Sequence, residues 1–94
     1  MTIYKNKNNI RREKYMKLIK FEKTDCPPCI AVSNFLDDLG VDYERVNTEE
    51  NPERAIEHMV MSTPVILLVD ENDEVVERSR GFNPAELENM ISKL

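Results

Sequence analysis

The sequence is poor in the residues that build metal centres: its 94 residues contain one histidine, two cysteines, no tryptophan and only two glycines. A structural zinc site needs four ligands, and Cys26 and Cys29 could be joined only by His58 and carboxylates, with no second cysteine pair. Long apolar runs are missing too. The longest, Val65 to Val69, is far shorter than the roughly 20 residues that cross a bilayer as a helix, so no transmembrane helix is expected. Thr2 to Lys14 is polar and basic with isolated Ile and Tyr residues. A secretory signal would instead run from a basic start into an apolar stretch, and the expected compartment is therefore the cytoplasm.

The formal net charge of -5 hides an asymmetry. Residues 1–23 hold eight Lys or Arg against two Glu, which leaves five basic and sixteen acidic residues for the rest of the 13 and 18 in the chain. An acidic body argues against binding a phosphate backbone, which needs clustered cations to displace counterions. The basic head, Lys5, Lys7, Arg11, Arg12 and Lys14, reads as a solvated arm. A chain of this length has material for a single core, so we expect an extension over 1–15 and one domain over 16–94. In the extension Ile3-Tyr4 could add a short strand and Ile10 to Tyr15 a helical turn.

From Met16 the pattern becomes regular. Met16 to Glu22 has strand length and strand composition. Cys29, Val32, Phe35, Leu36 and Leu39 then recur at spacings of three and four, one face of a helix that Gly40 can end in a left-handed conformation. Val41 to Val46 reads as a second strand. Asn51-Pro52 opens a second helix with a capping side chain and a proline in the first turn, its expected buried face being Ala55, Ile56, Met59 and Val60. Val65 to Val69 is the continuous apolar run of a strand covered on both faces. Residues 70–73 supply turn chemistry, Glu74 to Ser79 pairs back as a hairpin partner, and Asn83-Pro84 opens a last helix facing inward through Leu87, Met90, Ile91 and Leu94. The expected fold class is α/β: a four-stranded mixed sheet in the order β-α-β-α-β-β-α, with helices on both faces.

The chemistry sits at Cys26-Pro27-Pro28-Cys29, where the first strand turns into the first helix. Unpaired amides and the positive end of the helix dipole point at the Cys26 sulfur there and favour thiolate over thiol. The thiolate is the nucleophile, and a pKa lowered from about 8.5 toward neutrality raises its share. Cys26 is the expected attacker. Cys29, one turn further in on the apolar face, is expected to be the more buried and to resolve a mixed disulfide from within. Half of a zinc site and two inert buried cysteines are the competing readings. The electrons reside on sulfur, so no metal or organic cofactor is expected.

Ser62-Thr63-Pro64 precedes the apolar strand, where a proline belongs at the first residue. It is either a trans proline ending a helix or a cis bond that brings the Thr63 backbone beside Cys26. Lys20 reads most simply as a side chain snorkelling to water; the alternative puts its ammonium near the sulfurs. His58 reads as a surface residue. Arg78 and Arg80 balance an acidic surface or steer acidic partners, and Met59, Met61 and Met90 read as core filling.

Taken together, the Cys-Pro-Pro-Cys turn, Thr63-Pro64 before an apolar strand, the hairpin, Gly81 and a final helix resemble the thioredoxin/glutaredoxin superfamily over Met16 to Leu94. Gly81-Phe82-Asn83-Pro84 further resembles the Gly-Phe-x-Pro of NrdH-type redoxins, electron donors to ribonucleotide reductase. The resemblance implies a thioredoxin-like fold, a redox-active disulfide between Cys26 and Cys29, a cis Pro64, and substrate contacts at Thr63, Pro64, Gly81 and Phe82. It implies a protein-disulfide reductase acting as a monomer on disulfide-containing clients, ribonucleotide reductase among them. A thioredoxin-reductase-like enzyme or glutathione would recharge it, with no nucleic acid or membrane involved. Alternatives within the same fold are a glutathione-dependent glutaredoxin and a non-catalytic peptide-binding module. The chain also departs from the pattern. Thioredoxins usually carry a buried aspartate six residues before the first cysteine, where Lys20 stands, and glutaredoxins a Gly-Gly pair where this chain has Gly81-Phe82.

Overall fold

The computed structural model describes residues 15–94. Its elements are β1 (Lys17–Glu22), α1 (Pro27–Asp38), β2 (Glu44–Asn47), α2 (Pro52–Glu57), β3 (Val65–Val69), β4 (Val75–Arg80) and α3 (Pro84–Ile91). The strands form one sheet in the order β2-β1-β3-β4. β1 and β2 run parallel across the α1 crossover, whereas β1 with β3 and β3 with β4 are antiparallel. This is the expected mixed sheet. The strand expected at Ile3-Tyr4 and residues 10–14 of the expected helical turn lie outside the described residues.

Strand periodicity divides the core into two layers. Leu18, Ile66 and Leu68 pack against Val32 and Leu36 of α1 and Leu87 and Met90 of α3. Ile19, Phe21, Val46, Val65, Leu67 and Val69 point the other way, toward Ala55 of α2. Every residue of β3 is buried, as its unbroken apolar run requires. Among the described residues no helix is long and apolar enough to cross a membrane.

Helix ends explain most departures from the expected pattern. α1 closes with Gly40 at φ +68°: Val41 N donates to Leu36 O and Gly40 N to Asp37 O, both at 3.0 Å, the paired bonds of a Schellman motif. Leu39 falls at this cap and is exposed. Val41 leaves the turn against the core edge, so β2 begins only at Glu44.

α2 ends in the same pair of bonds, Val60 N to Ala55 O at 2.8 Å and Met59 N to Ile56 O at 3.0 Å. Here the left-handed residue is Met59, with φ 56°. The helix is therefore shorter than expected and buries Ala55 alone, while Ile56 and Met59 face solvent and Val60 is half-buried. Met61 is 96 % exposed, so of the three methionines read as core filling only Met90 fills it. In α3, Leu87 and Met90 are buried and Ile91 half-buried, while Leu94 lies beyond the helix end and is exposed.

His58 also departs from expectation. Its side chain is only 9 % exposed, because the ring packs on Phe21 with centroids 5.5 Å apart. Arg78 Nη2 donates to the His58 carbonyl at 2.7 Å and so closes the end of α2. Arg80 remains exposed.

Candidate active site

The cysteine pair sits where the strand-to-helix turn was expected to place it. Cys26 is the N-cap of α1, with extended backbone angles (φ -122°, ψ 93°), and Pro27 and Pro28 occupy the first turn, where missing amides leave no intrahelical bond unmade. Cys29 N donates to Cys26 Sγ at 3.3 Å, so the amide expected to face the sulfur does face it. Cys26 and Cys29 form a disulfide across a Cα separation of 5.2 Å.

The expected difference in burial is not present, since Cys26 is 4 % and Cys29 3 % exposed. Each sulfur covers the other in the disulfide, and Thr63 lies over the outer one, its Oγ1 3.7 Å from Cys26 Sγ. The Thr63–Pro64 peptide bond is cis. Thr63 is thereby a neighbour of the disulfide despite 37 residues of separation.

Gly81 N donates to Pro64 O at 2.9 Å, extending the β3–β4 ladder by one bond beyond the Val65 and Arg80 pair. Gly81 takes φ +71° and directs Phe82 back onto α1, where its ring meets Phe35 edge-on at 5.9 Å. Phe82 stays 43 % exposed. Thr63 is thus placed against Cys26, with Pro64 next to it in the chain and Gly81 bonded to Pro64, and Phe82 follows Gly81 as a half-open apolar ring.

Lys20 contradicts the snorkelling expectation: it is 1 % exposed. Leu18, Lys20 and Glu22 alternate onto one face of β1, and that face is covered by α1, so the side chain has no path to water along the sheet. Its ammonium is hydrogen-bonded to the Glu22 carboxylate and the Ser33 hydroxyl. Arg45 Nη2 also reaches Glu22, at 3.2 Å. Burial acts to raise the Glu22 carboxyl, but the hydrogen bonds and charges of Lys20 and Arg45 outweigh it and hold that carboxyl below the ordinary carboxylate range. These side chains and Cys29 line one cavity of about 280 Å³. Glu22, Ser33 and Arg45 went unnoticed in the sequence; strand parity with Lys20, and a spacing of four from Cys29 to Ser33 on a helix, are the signals that point to them. Among the described residues no three His, Cys, Asp or Glu side chains gather as a metal cluster.

Comparison with known proteins agrees with this geometry. Residues 15–72 match the family model described as Glutaredoxin. The chain is 40 % identical over 79 residues to a prophage-derived thioredoxin-like protein of Bacillus subtilis strain 168, covering 84 % of this chain and 99 % of that one. It is 35 % identical over 80 residues to thioredoxin of Staphylococcus epidermidis, covering 79 % and 76 % of the two chains. Among solved structures, mitochondrial thioredoxin 3 of Saccharomyces cerevisiae superposes with a TM-score of 0.75 at 26 % identity, over 95 % of this chain and 88 % of that one. The fold, the cysteine pair at its helix start and these relatives lead to one conclusion: the chain belongs to the thioredoxin/glutaredoxin superfamily and is a thiol-disulfide oxidoreductase.

Proposed function

We propose that the chain reduces disulfides in client proteins, with Cys26 as the attacking thiolate and Cys29 as the resolving thiol. The observation that carries this reading is the Cys29 amide aimed at Cys26 Sγ at the start of α1. In the reduced protein the same amide and the helix dipole favour an anion at that sulfur.

The Cys26 thiolate attacks one sulfur of the client disulfide. A bond forms between Cys26 and the client, and the client's other sulfur leaves as a thiolate that takes up a proton. Cys29 then loses its proton and attacks Cys26 Sγ. The Cys26–Cys29 bond forms, the mixed disulfide breaks, and the second client sulfur leaves. Two electrons have passed to the client, and the protein holds the disulfide seen here.

Thr63 and Pro64 border the reacting sulfur, and their backbone offers an extended client segment hydrogen-bonding groups in the manner of an added strand. A thioredoxin-reductase-like enzyme is the preferred electron source, because a single Gly81 followed by Phe82 stands where glutathione binders carry two glycines. Glutathione is the second reading, supported by the Glutaredoxin family match. The Gly81 to Pro84 segment supports ribonucleotide reductase as a client, and a reducing role suits the cytoplasm.

Insulin reduction coupled to NADPH, through thioredoxin reductase in one arm and through glutathione with its reductase in the other, tests this. Turnover is expected in the first arm and is lost in Cys26→Ser. Cys29→Ser is expected to stall as a mixed disulfide detectable by mass. Turnover that survives Cys26→Ser refutes the dithiol mechanism, and turnover confined to the glutathione arm reverses the choice of reductant.

A further inference from the structure

A cation buried as deeply as Lys20, 1 % exposed, is costly unless opposite charge and hydrogen bonds compensate it. The hydrogen bonds are present, to Ser33 and Glu22. The charge is not fully balanced. Glu22 is the carboxylate bonded to Lys20, and it is shared with Arg45, so the three groups together carry one positive charge.

Widening the count to every charged side chain on the surrounding cavity gives the same sign. Lys20, Lys23 and Arg45 face Glu22 and Asp37 there, three cations against two carboxylates. Asp37 is also engaged by the Tyr43 hydroxyl, at 3.1 Å.

Cys29 lines this cavity and Cys26 does not. Ser33 follows Cys29 by four residues on α1, and both side chains are buried, so they stack on the helix face turned toward β1. The ammonium bonded to Ser33 therefore shares with Cys29 both this helix face and the cavity lining. Around a shared cavity, a net positive cluster favours thiolate over thiol, against the burial that favours the neutral form.

We propose that the cluster of Lys20, Glu22 and Arg45, with Lys20 at its centre, sets the acidity of Cys29 and so the pH at which the mixed disulfide is resolved. Lys20 is a positioning residue in this scheme: it forms no bond with client or sulfur and takes no proton. The proton of Cys29 leaves to solvent through the cavity, whose rim residues Lys23, Ile30 and Asn34 are exposed. The inference deepens the dithiol mechanism above and rests on it.

The test is thiol titration of single-cysteine proteins, read by thiolate absorbance without client or reductant, so its outcome is separate from the insulin assay. In Cys26→Ser, adding Lys20→Gln or Lys20→Met is expected to raise the Cys29 pKa by about one unit or more, a tenfold loss of thiolate near neutrality. Lys20→Gln keeps hydrogen-bonding groups at Ser33 and Glu22 and isolates the charge. Lys20→Arg is expected to hold the pKa at the Cys26→Ser value, and in Cys29→Ser the Cys26 pKa is expected not to respond to Lys20→Gln. Arg45→Gln, at a side chain that is 57 % exposed, is expected to raise the Cys29 pKa by a smaller step. An unchanged or lowered Cys29 pKa in the folded Lys20 variants overturns the proposal, as does an equal shift at Cys26. If the Lys20 variants do not fold, an unchanged or lowered Cys29 pKa in Arg45→Gln overturns it.

Discussion

The amide of Gly81 donates to the carbonyl of Pro64 at 2.9 Å, which fastens the end of β4 to the segment that touches the disulfide. Pro64 has no amide to offer in return, so this one bond carries the β3–β4 ladder a residue further, to the segment next to Cys26. Gly81 reaches it with φ +71°, a conformation that costs other residues free energy, while a Cβ placed there would meet nothing within 4 Å.

Gly81→Ala is therefore expected to act through the backbone and not through a clash. We expect a loss of about 1 kcal/mol, read as a fall of about 4–8 °C in Tm. Gly40→Ala is the control, since Gly40 has φ +68° and equally open surroundings but ends α1 at the far side from the cysteines. Both variants are expected to lose similar stability, and only Gly81→Ala to raise KM for insulin.

Two helices begin with the same Asn-Pro pair, and the structure distinguishes them. Asn83 Oδ1 accepts from Glu86 N at 3.1 Å, whereas the Asn51 side chain makes no cap hydrogen bond. Asn83→Ala is expected to cost about 1 kcal/mol and Asn51→Ala a few tenths at most. Urea denaturation of both variants checks the pair, and equal losses would contradict it.

That contrast marks how far the sequence was legible. The apolar periods located β3, α1 and α3, because burial of β3 on both faces and of one stripe on α1 and α3 dictates those periods directly, while α2 and β4 were placed by the Asn-Pro start and the turn before them. The cysteine turn was legible as well, since proline restricts the backbone locally, whereas the residues alone left Pro64 open between trans and cis and the family resemblance implied the cis bond that is present. Ends set by tertiary bonds were not. Met59 closes α2 in a left-handed conformation for which glycine is the usual signal, and its exposure follows from the paired bonds of that cap, Met59 N to Ile56 O and Val60 N to Ala55 O. His58 and Lys20 were misread because polarity suggested solvent, while Phe21 covers one and α1 covers the other. Strand parity with Leu18 already placed Lys20 beneath α1, and it was the stronger signal.

Phe82 sits half-open against Phe35, ring centroids 5.9 Å apart and planes at 71°. An edge-to-face pair contributes roughly 0.5–1.5 kcal/mol beyond its buried area, so Phe82→Ala is expected to lose about 1 kcal/mol of stability. If the exposed side of the ring contacts clients, the variant raises KM for insulin several-fold and leaves reduction of a small disulfide such as cystine unchanged. Equal effects on both substrates would confine Phe82 to a structural role.

Glu22 is held ionised by Lys20 and Arg45, with its carboxyl below the ordinary carboxylate range despite burial. In the unfolded chain the same carboxyl titrates near 4.3, so the unfolded state binds the proton more readily. The stabilisation is complete above that value and is lost as pH falls through the lower folded value, where protonation breaks the pair and leaves Lys20 buried without its counter-charge. Glu44, lowered first by its hydrogen bond from Arg54, works in the same direction, but its side chain is 35 % exposed and more screened by solvent. Glu22→Gln is expected to lose on the order of 2 kcal/mol near neutral pH, less than a fully buried pair because Arg45 is itself exposed. It should also flatten the acid limb of a stability–pH profile below about 4.3, which denaturation at a series of pH values measures. A variant with the wild-type acid limb would show that Glu22 is not the group whose protonation weakens the fold.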